Sequence, residues 1–155
     1  EYLFEKVKIG TQFPIKGPLG KFLLPNEIIH DLCMVCTGTG IAPFRSMINH
    51  IYNTNIPHKE IYLIFGTQKK KDLLYHQEML ALAKQHKSFH YKVALSREEL
   101  NGYKGYVHQL YQQIFDGKKQ GHFFFCGMKN MILEGRDWLL EKGYERKYIK
   151  YELYG

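Results

Sequence analysis

The chain has 155 residues, 45% of them hydrophobic, and a formal net charge of +7. That is room for one full domain and part of another, with the core of an ordinary globule rather than a disordered or fibrous composition. No apolar run approaches the roughly 20 residues that cross a bilayer, and the N-terminus EYLFEKVKIG mixes acid with base, so membrane insertion is not expected and a cytoplasmic location is.

In chain order, residues 1 to about 25 alternate and turn in the manner of β structure: Phe4, Val7 and Ile9, then Gly10, Phe13 and Ile15, then Gly17-Pro18 and Gly20. From Leu32 the pattern becomes strands alternating with helical segments, the signature of a parallel sheet with crossover helices. Strands are expected at 32–37, 60–65, 89–95, 122–126 and 148–153. Helices are expected at about 41–53, from a cap at Asp72 to about 86, at 106–115, and at 128–142 with Gly143 as the stop. The fold class is therefore α/β, a doubly wound five-stranded parallel sheet preceded by a short β remnant.

Leu32–Ser46, LCMVCTGTGIAPFRS, is the stretch that carries chemistry. A short apolar strand turns on Gly38 and Gly40 into a helix start, with Pro43 in the first turn, where no N–H is missed. Such a junction suits a pyrophosphate, because glycines let the backbone come close and the helix end supplies unpaired N–H groups. The spacing G-x-G-x-x-P departs from the usual dinucleotide fingerprint at its last position. Cys33 and Cys36 have C-x-x-C spacing, but inside a buried strand and without a second pair they read as small hydrophobes. The histidines show no metal-ligand spacing, and no metal is expected. The charge is dispersed apart from Lys69-Lys70-Lys71, and the tyrosines fall outside RNA-binding signatures, which leaves nucleic acid with little support.

Further motifs lie at the ends of the expected strands: Gly66-Thr67, Ser96-Arg97 and Cys126-Gly127 join the glycine turn along the carboxyl edge, where open α/β sheets bind ligands. TGTGIAP, together with GPLGKF at 17–22, FGT at 65–67, SREE at 96–99, KGYV at 104–107, FCG at 125–127 and YELY at 151–154, resembles the ferredoxin–NADP reductase family in the family's order along the chain. The resemblance implies a flavin enzyme with an FAD-binding barrel followed by a nicotinamide-binding domain. Residues 1–28 would be the end of that barrel and 29–155 the NAD(P)-binding domain. The family's flavin-binding R-x-Y-[ST] motif has no match here.

Carried over residue by residue, the resemblance implies cofactor contacts at Gly17, Pro18 and Gly20, then at Thr37, Gly38, Thr39, Gly40, Ile41 and Pro43, then at Gly66 and Thr67. Ser96, Arg97, Lys104 and Tyr106 would hold the 2′-phosphate and adenine of NADP, with NAD as the lesser cofactor. Cys126, Gly127 and Met128 would lie at the nicotinamide. Cys126, Glu152 and Tyr154 would serve hydride transfer, Cys126 by positioning the ring, Glu152 through proton relay or by orienting the rings, and Tyr154 by stacking on the flavin. The implied partners are a nicotinamide nucleotide and an electron-acceptor protein such as ferredoxin. The alternative is a nucleotide-binding module that binds NADP without catalysis.

Overall fold

The computed structural model describes residues 2–17, 19–117 and 120–153, with side-chain detail omitted at position 3. Five strands, β1 (Leu32–Thr37), β2 (Ile61–Thr67), β3 (Phe89–Leu95), β4 (His122–Gly127) and β5 (Ile149–Leu153), form one parallel sheet in the order β3-β2-β1-β4-β5. The inner strands are nearly continuous apolar runs because both of their faces are covered: β4, HFFFCG, is buried along its whole length. The helices are α1 (Tyr2–Glu5), α2 (Ile41–Asn53), α3 (His76–Gln85), α4 (Val107–Phe115) and α5 (Lys129–Glu141).

The strand periodicity divides the core into two layers. Met34, Cys36, Phe65, Phe124 and Cys126 point to one face, where Ile41, Phe44 and Ile48 of α2 and Met79 of α3 meet them. Cys33, Val35, Ile64 and Phe125 point to the other, against Val107 and Tyr111 of α4 and Ile132 and Leu139 of α5. Cys33 and Cys36 thus face opposite sides of the sheet, and none of the three cysteines is in a disulfide. On the second face α5 comes close to β4 at Gly135, where an added Cβ would lie 2.6 Å from the Phe125 ring.

Two local expectations are corrected. Asp72 does not cap α3: it ends a 3₁₀ turn, Lys70–Asp72, and Leu73 then runs extended and packs on the core. The helix starts at His76 after Tyr75, which holds φ 53°, and Arg45 of α2 fixes that entry by stacking on the Tyr75 ring at 4.6 Å and pairing with Glu78 at 2.8 Å. The described residues before Leu32 contain no strand, only α1 and irregular backbone. An alternating segment becomes a strand only against a ladder partner, and this stretch has none in the structure. Instead Phe22, Leu24 and Ile28 pack on the first core layer.

Candidate functional site

The connection from β1 to β2 runs to one side of β1, and the return from β3 to β4 brings the chain to the other. The connections leaving the carboxyl ends of β1 and β4 therefore part to opposite faces at a switch point, which opens a crevice. A cleft of about 650 Å3 lies there. Its floor is Thr37, Gly38 and Thr39 with Gly66, Thr67 and Gln68; Ser96 and Arg97 close one end, and Gly127 and Met128 the other. Tyr106, Val107 and His108 of the α4 entry and Asn130, Met131 and Glu134 of α5 form the wall.

Each group is held by neighbouring backbone. The ladder of β2 and β3 continues past the strands, with Ser96 N–H on the Thr67 carbonyl and Arg97 N–H on the Gln68 carbonyl, both at 3.0 Å. Arg97 is thereby brought to the cleft end while its side chain stays exposed. Tyr106 precedes α4, its N–H donating to Gln109 Oε1 at 3.2 Å and its carbonyl accepting from Tyr103 Oη at 2.7 Å. Its own ring is 63% exposed and available for stacking. Met128 N–H donates to Thr37 Oγ1 at 3.0 Å, tying the β4 turn to the end of β1.

The glycine turn is a 3₁₀ turn, Gly38–Gly40, leading into α2. Gly38 holds φ +53° with open space where a side chain would stand, so an anion can approach its backbone from the cleft. Gly40 plays a different part from the one expected. It is buried, and a Cβ there would overlap the Cys126 carbonyl oxygen, so its lack of a side chain lets the turn lie against β4 rather than making room for phosphate. Ile41 is also turned away: its side chain is buried in the core and its N–H is engaged by the Gly38 and Thr39 carbonyls. Pro43 sits on α2 outside the cleft lining, and Lys104 is exposed beside the cleft without lining it.

Cys126 is fully buried on the first core layer and does not line the cleft. It stands in register between Cys36 of β1 and Glu152 of β5, so two thiols and an exposed carboxylate share one sheet face on three adjacent strands. Burial pushes the Cys36 thiol well above its ordinary pKa, with Cys126 adding to it, so the thiol stays protonated. Gly17 and Gly20 are exposed and do not line the cleft. Pro18 and Tyr154 lie outside the described residues. The backbone of Gly38 and the side chains of Ser96, Arg97 and Tyr106 do fit a nicotinamide dinucleotide.

Sequence reasoning missed Gln68, His108, Asn130, Met131 and Glu134. His108 Nε2, in the first turn of α4, lies 3.1 Å from Glu134 Oε2 of α5, a close approach without the angle of a directed hydrogen bond. Nothing in the spacing of residues 108 and 134 announces it, although a histidine two places after the Tyr106 motif was a signal within reach. Among the described residues no three His, Cys, Asp or Glu side chains are grouped to hold a metal, and no helix is long and apolar enough to cross a membrane.

The chain is similar to curated reductases over most of its length. It is 37% identical to the chloroplastic ferredoxin–NADP reductase of Chlamydomonas reinhardtii, covering 92% of this chain and 44% of that protein. With root isozyme 2 of Arabidopsis thaliana it shares 33% identity over 90% of this chain and 40% of the relative. It therefore spans less than half the length of either. Among solved structures, the flavohem-like FAD/NAD-binding domain of nitric oxide dioxygenase from Vibrio cholerae O1 biovar El Tor superimposes with a TM-score of 0.83 at 22% identity, covering 99% of this chain and 63% of that one. A ferredoxin–NADP+ reductase from Plasmodium falciparum with 2′P-AMP gives 0.68 at 23%, covering 88% and 58%. At those identities the structures speak for the fold alone. The model of the oxidoreductase NAD-binding domain matches residues 34–136, and the chain belongs to that family.

Proposed function

We propose that this chain is the nicotinamide-nucleotide half of an FAD-dependent reductase, which binds NADPH in the switch-point cleft and presents it to a flavin held by the remainder of a full-length protein. One observation carries the reading: Ser96, Arg97 and Tyr106 line the same cleft as the open backbone of Gly38 and Thr39. Arg97 would grip a 2′-phosphate through paired N–H donors while Ser96 adds a hydroxyl and Tyr106 a ring face for adenine. The pyrophosphate would lie on Gly38 and Thr39 at the entry to α2. The nucleotide supplies the hydride; the protein binds and orients it. The Gly127–Met128 end would take the nicotinamide, with Cys126 and Glu152 beside it on the neighbouring face.

The relatives named as ferredoxin–NADP reductases make a ferredoxin-type protein the acceptor of choice in this reading. They favour a catalytic role over a module that only binds nucleotide. The expected cytoplasmic location goes with it, and the chloroplastic relatives supply an organelle as the competing compartment; tagged full-length protein in cells decides between them. The function itself is tested by calorimetry of the 155-residue chain with NADP+ and NAD+, followed by anaerobic mixing of the full-length protein with NADPH. Binding of NADP+ at least about ten-fold tighter than NAD+, and bleaching of flavin absorbance on mixing, are expected. Equal affinities overturn the 2′-phosphate assignment, and a full-length protein without flavin overturns the reductase.

A further inference from the structure

On the first core face β4 is covered by a strap rather than by a helix of its own. Phe22 packs its ring on Phe44 of α2 and on Phe124 of β4, with centroids 5.8 and 5.6 Å apart, and Leu24 and Ile28 continue the contact towards the start of β1. Lys150 of β5 lies over the other flank. Its Nζ donates to the Leu23 carbonyl at 3.0 Å and sits 5.6 Å from the Phe124 ring centroid.

The docked stretch has a sharp upstream limit. Every described residue from Gly10 to Lys21 is exposed, and Gly20 holds φ +140° with nothing around it. Lys150 is paired in register with Phe124, and the next pair on that face is Cys126 with Glu152. The strap is therefore clamped one pair away from the thiol and the carboxylate.

We propose that Lys150 is a positioning residue for the reaction. By holding the Leu23 carbonyl it clamps the strap across β4 to β5, with Gly20 as the pivot, and so fixes how the preceding part of the protein sits relative to the Cys126–Glu152 pair. This rests on the reductase reading for its catalytic consequence, but the clamp itself is a property of this chain. A lysine suits the task because its stem lies along Phe124 while its ammonium reaches a backbone acceptor that any strap sequence would offer.

The test uses Lys150→Met, which keeps the apolar stem and removes the donor, with Lys150→Arg as the conservative rescue. In the 155-residue chain, amide exchange at residues 22–24 should quicken about ten-fold in the Met variant, stay near the parent rate in the Arg variant, and not change in β1 or β4. In full-length protein the Met variant should reduce flavin about ten-fold more slowly, with nucleotide affinity unchanged and with recovery by arginine. Unchanged exchange at 22–24 overturns the clamp. Faster exchange without a slower reaction, or an equal loss of nucleotide affinity, overturns the positioning role. Should the Met variant fail to fold, Lys150→Leu, which also lacks the donor, replaces it with the same expected readouts. A parent protein that exchanges as described but never reduces flavin counts against the reductase reading and leaves the clamp standing.

Discussion

Thr37 and Met128, 91 positions apart, are joined by a 3.0 Å hydrogen bond from the Met128 N–H to Thr37 Oγ1, so the two strand ends on either side of the switch point are held at a set spacing. Valine at position 37 keeps the shape and removes the acceptor. Thr37→Val should cost about 1 kcal/mol of stability and weaken NADP+ binding several-fold, whereas Thr37→Ser should do neither. Urea denaturation and calorimetry read the two effects; unchanged binding in the valine variant would show that the spacing does not matter to the nucleotide.

The two glycines of the turn should separate by phenotype. Gly40→Ala drives a methyl into the Cys126 carbonyl and should destabilise the fold by about 2 kcal/mol or more. Gly38→Ala meets no atom within 4 Å and carries only the strain of φ +53°, about 1 kcal/mol, so its main effect should be on nucleotide affinity. Comparable stability losses in both variants would contradict this division.

Arg97→Ala should weaken NADP+ binding about ten- to a hundred-fold and leave NAD+ binding nearly as it was. Arg97 is exposed, so the variant should keep the parent's melting curve. A parallel loss for both cofactors would move Arg97 from the 2′-phosphate to another part of the nucleotide.

For Cys126 and Glu152 the structure predicts unequal side effects. Glu152 is exposed, and Glu152→Gln should leave stability within about 0.5 kcal/mol. Cys126 is fully buried, so Cys126→Ala should also lose about 1 kcal/mol. In full-length protein both should slow flavin reduction about ten-fold while nucleotide affinity holds within two-fold. Stopped-flow traces showing affinity lost and rate kept would reduce the pair to pocket shape.

At the opposite end of the sheet, the His122 ring lies 5.3 Å from that of His30, and Tyr148 stands edge-on to both. Burial lowers the His122 pKa below its ordinary 6.5, and His30 and Lys150 lower it further. The folded state keeps this ring neutral where the unfolded chain already takes a proton. Its contribution to stability is therefore complete above pH 6.5 and is lost as the pH falls towards the depressed folded value. Between pH 7 and 5, His122→Gln should lose less stability than the parent; equal slopes would exonerate His122.

Much of the fold was legible because the strands are short apolar runs bounded by Gly, Pro and charge, and because the motif residues fall at strand ends whatever the strand order. The gathering of Gly38, Ser96, Arg97 and Tyr106 around one cleft could be read for the same reason, each following directly on a strand or opening a helix. The part Gly40 plays could not be read, since a glycine that yields space to a ligand and one that yields it to a neighbouring strand look alike in sequence. The Asp72 cap failed because Leu73, a residue that a longer helix would have turned differently, is held extended by the core. His108 and Glu134 meet only because α4 and α5 lie side by side on the sheet, a fact of tertiary packing with no local signature.

The near-contact of Gly135 with the Phe125 ring makes that position a gauge for the cleft. α5 rests on β4 with a gap narrower than an alanine methyl would fit, and the same helix carries Met131, one turn earlier, and the adjacent Glu134 into the cleft wall. The depth of that wall is thus set by the thickness of an aromatic ring in the core. The width open to a nucleotide can be tuned from behind, by residues the nucleotide never meets.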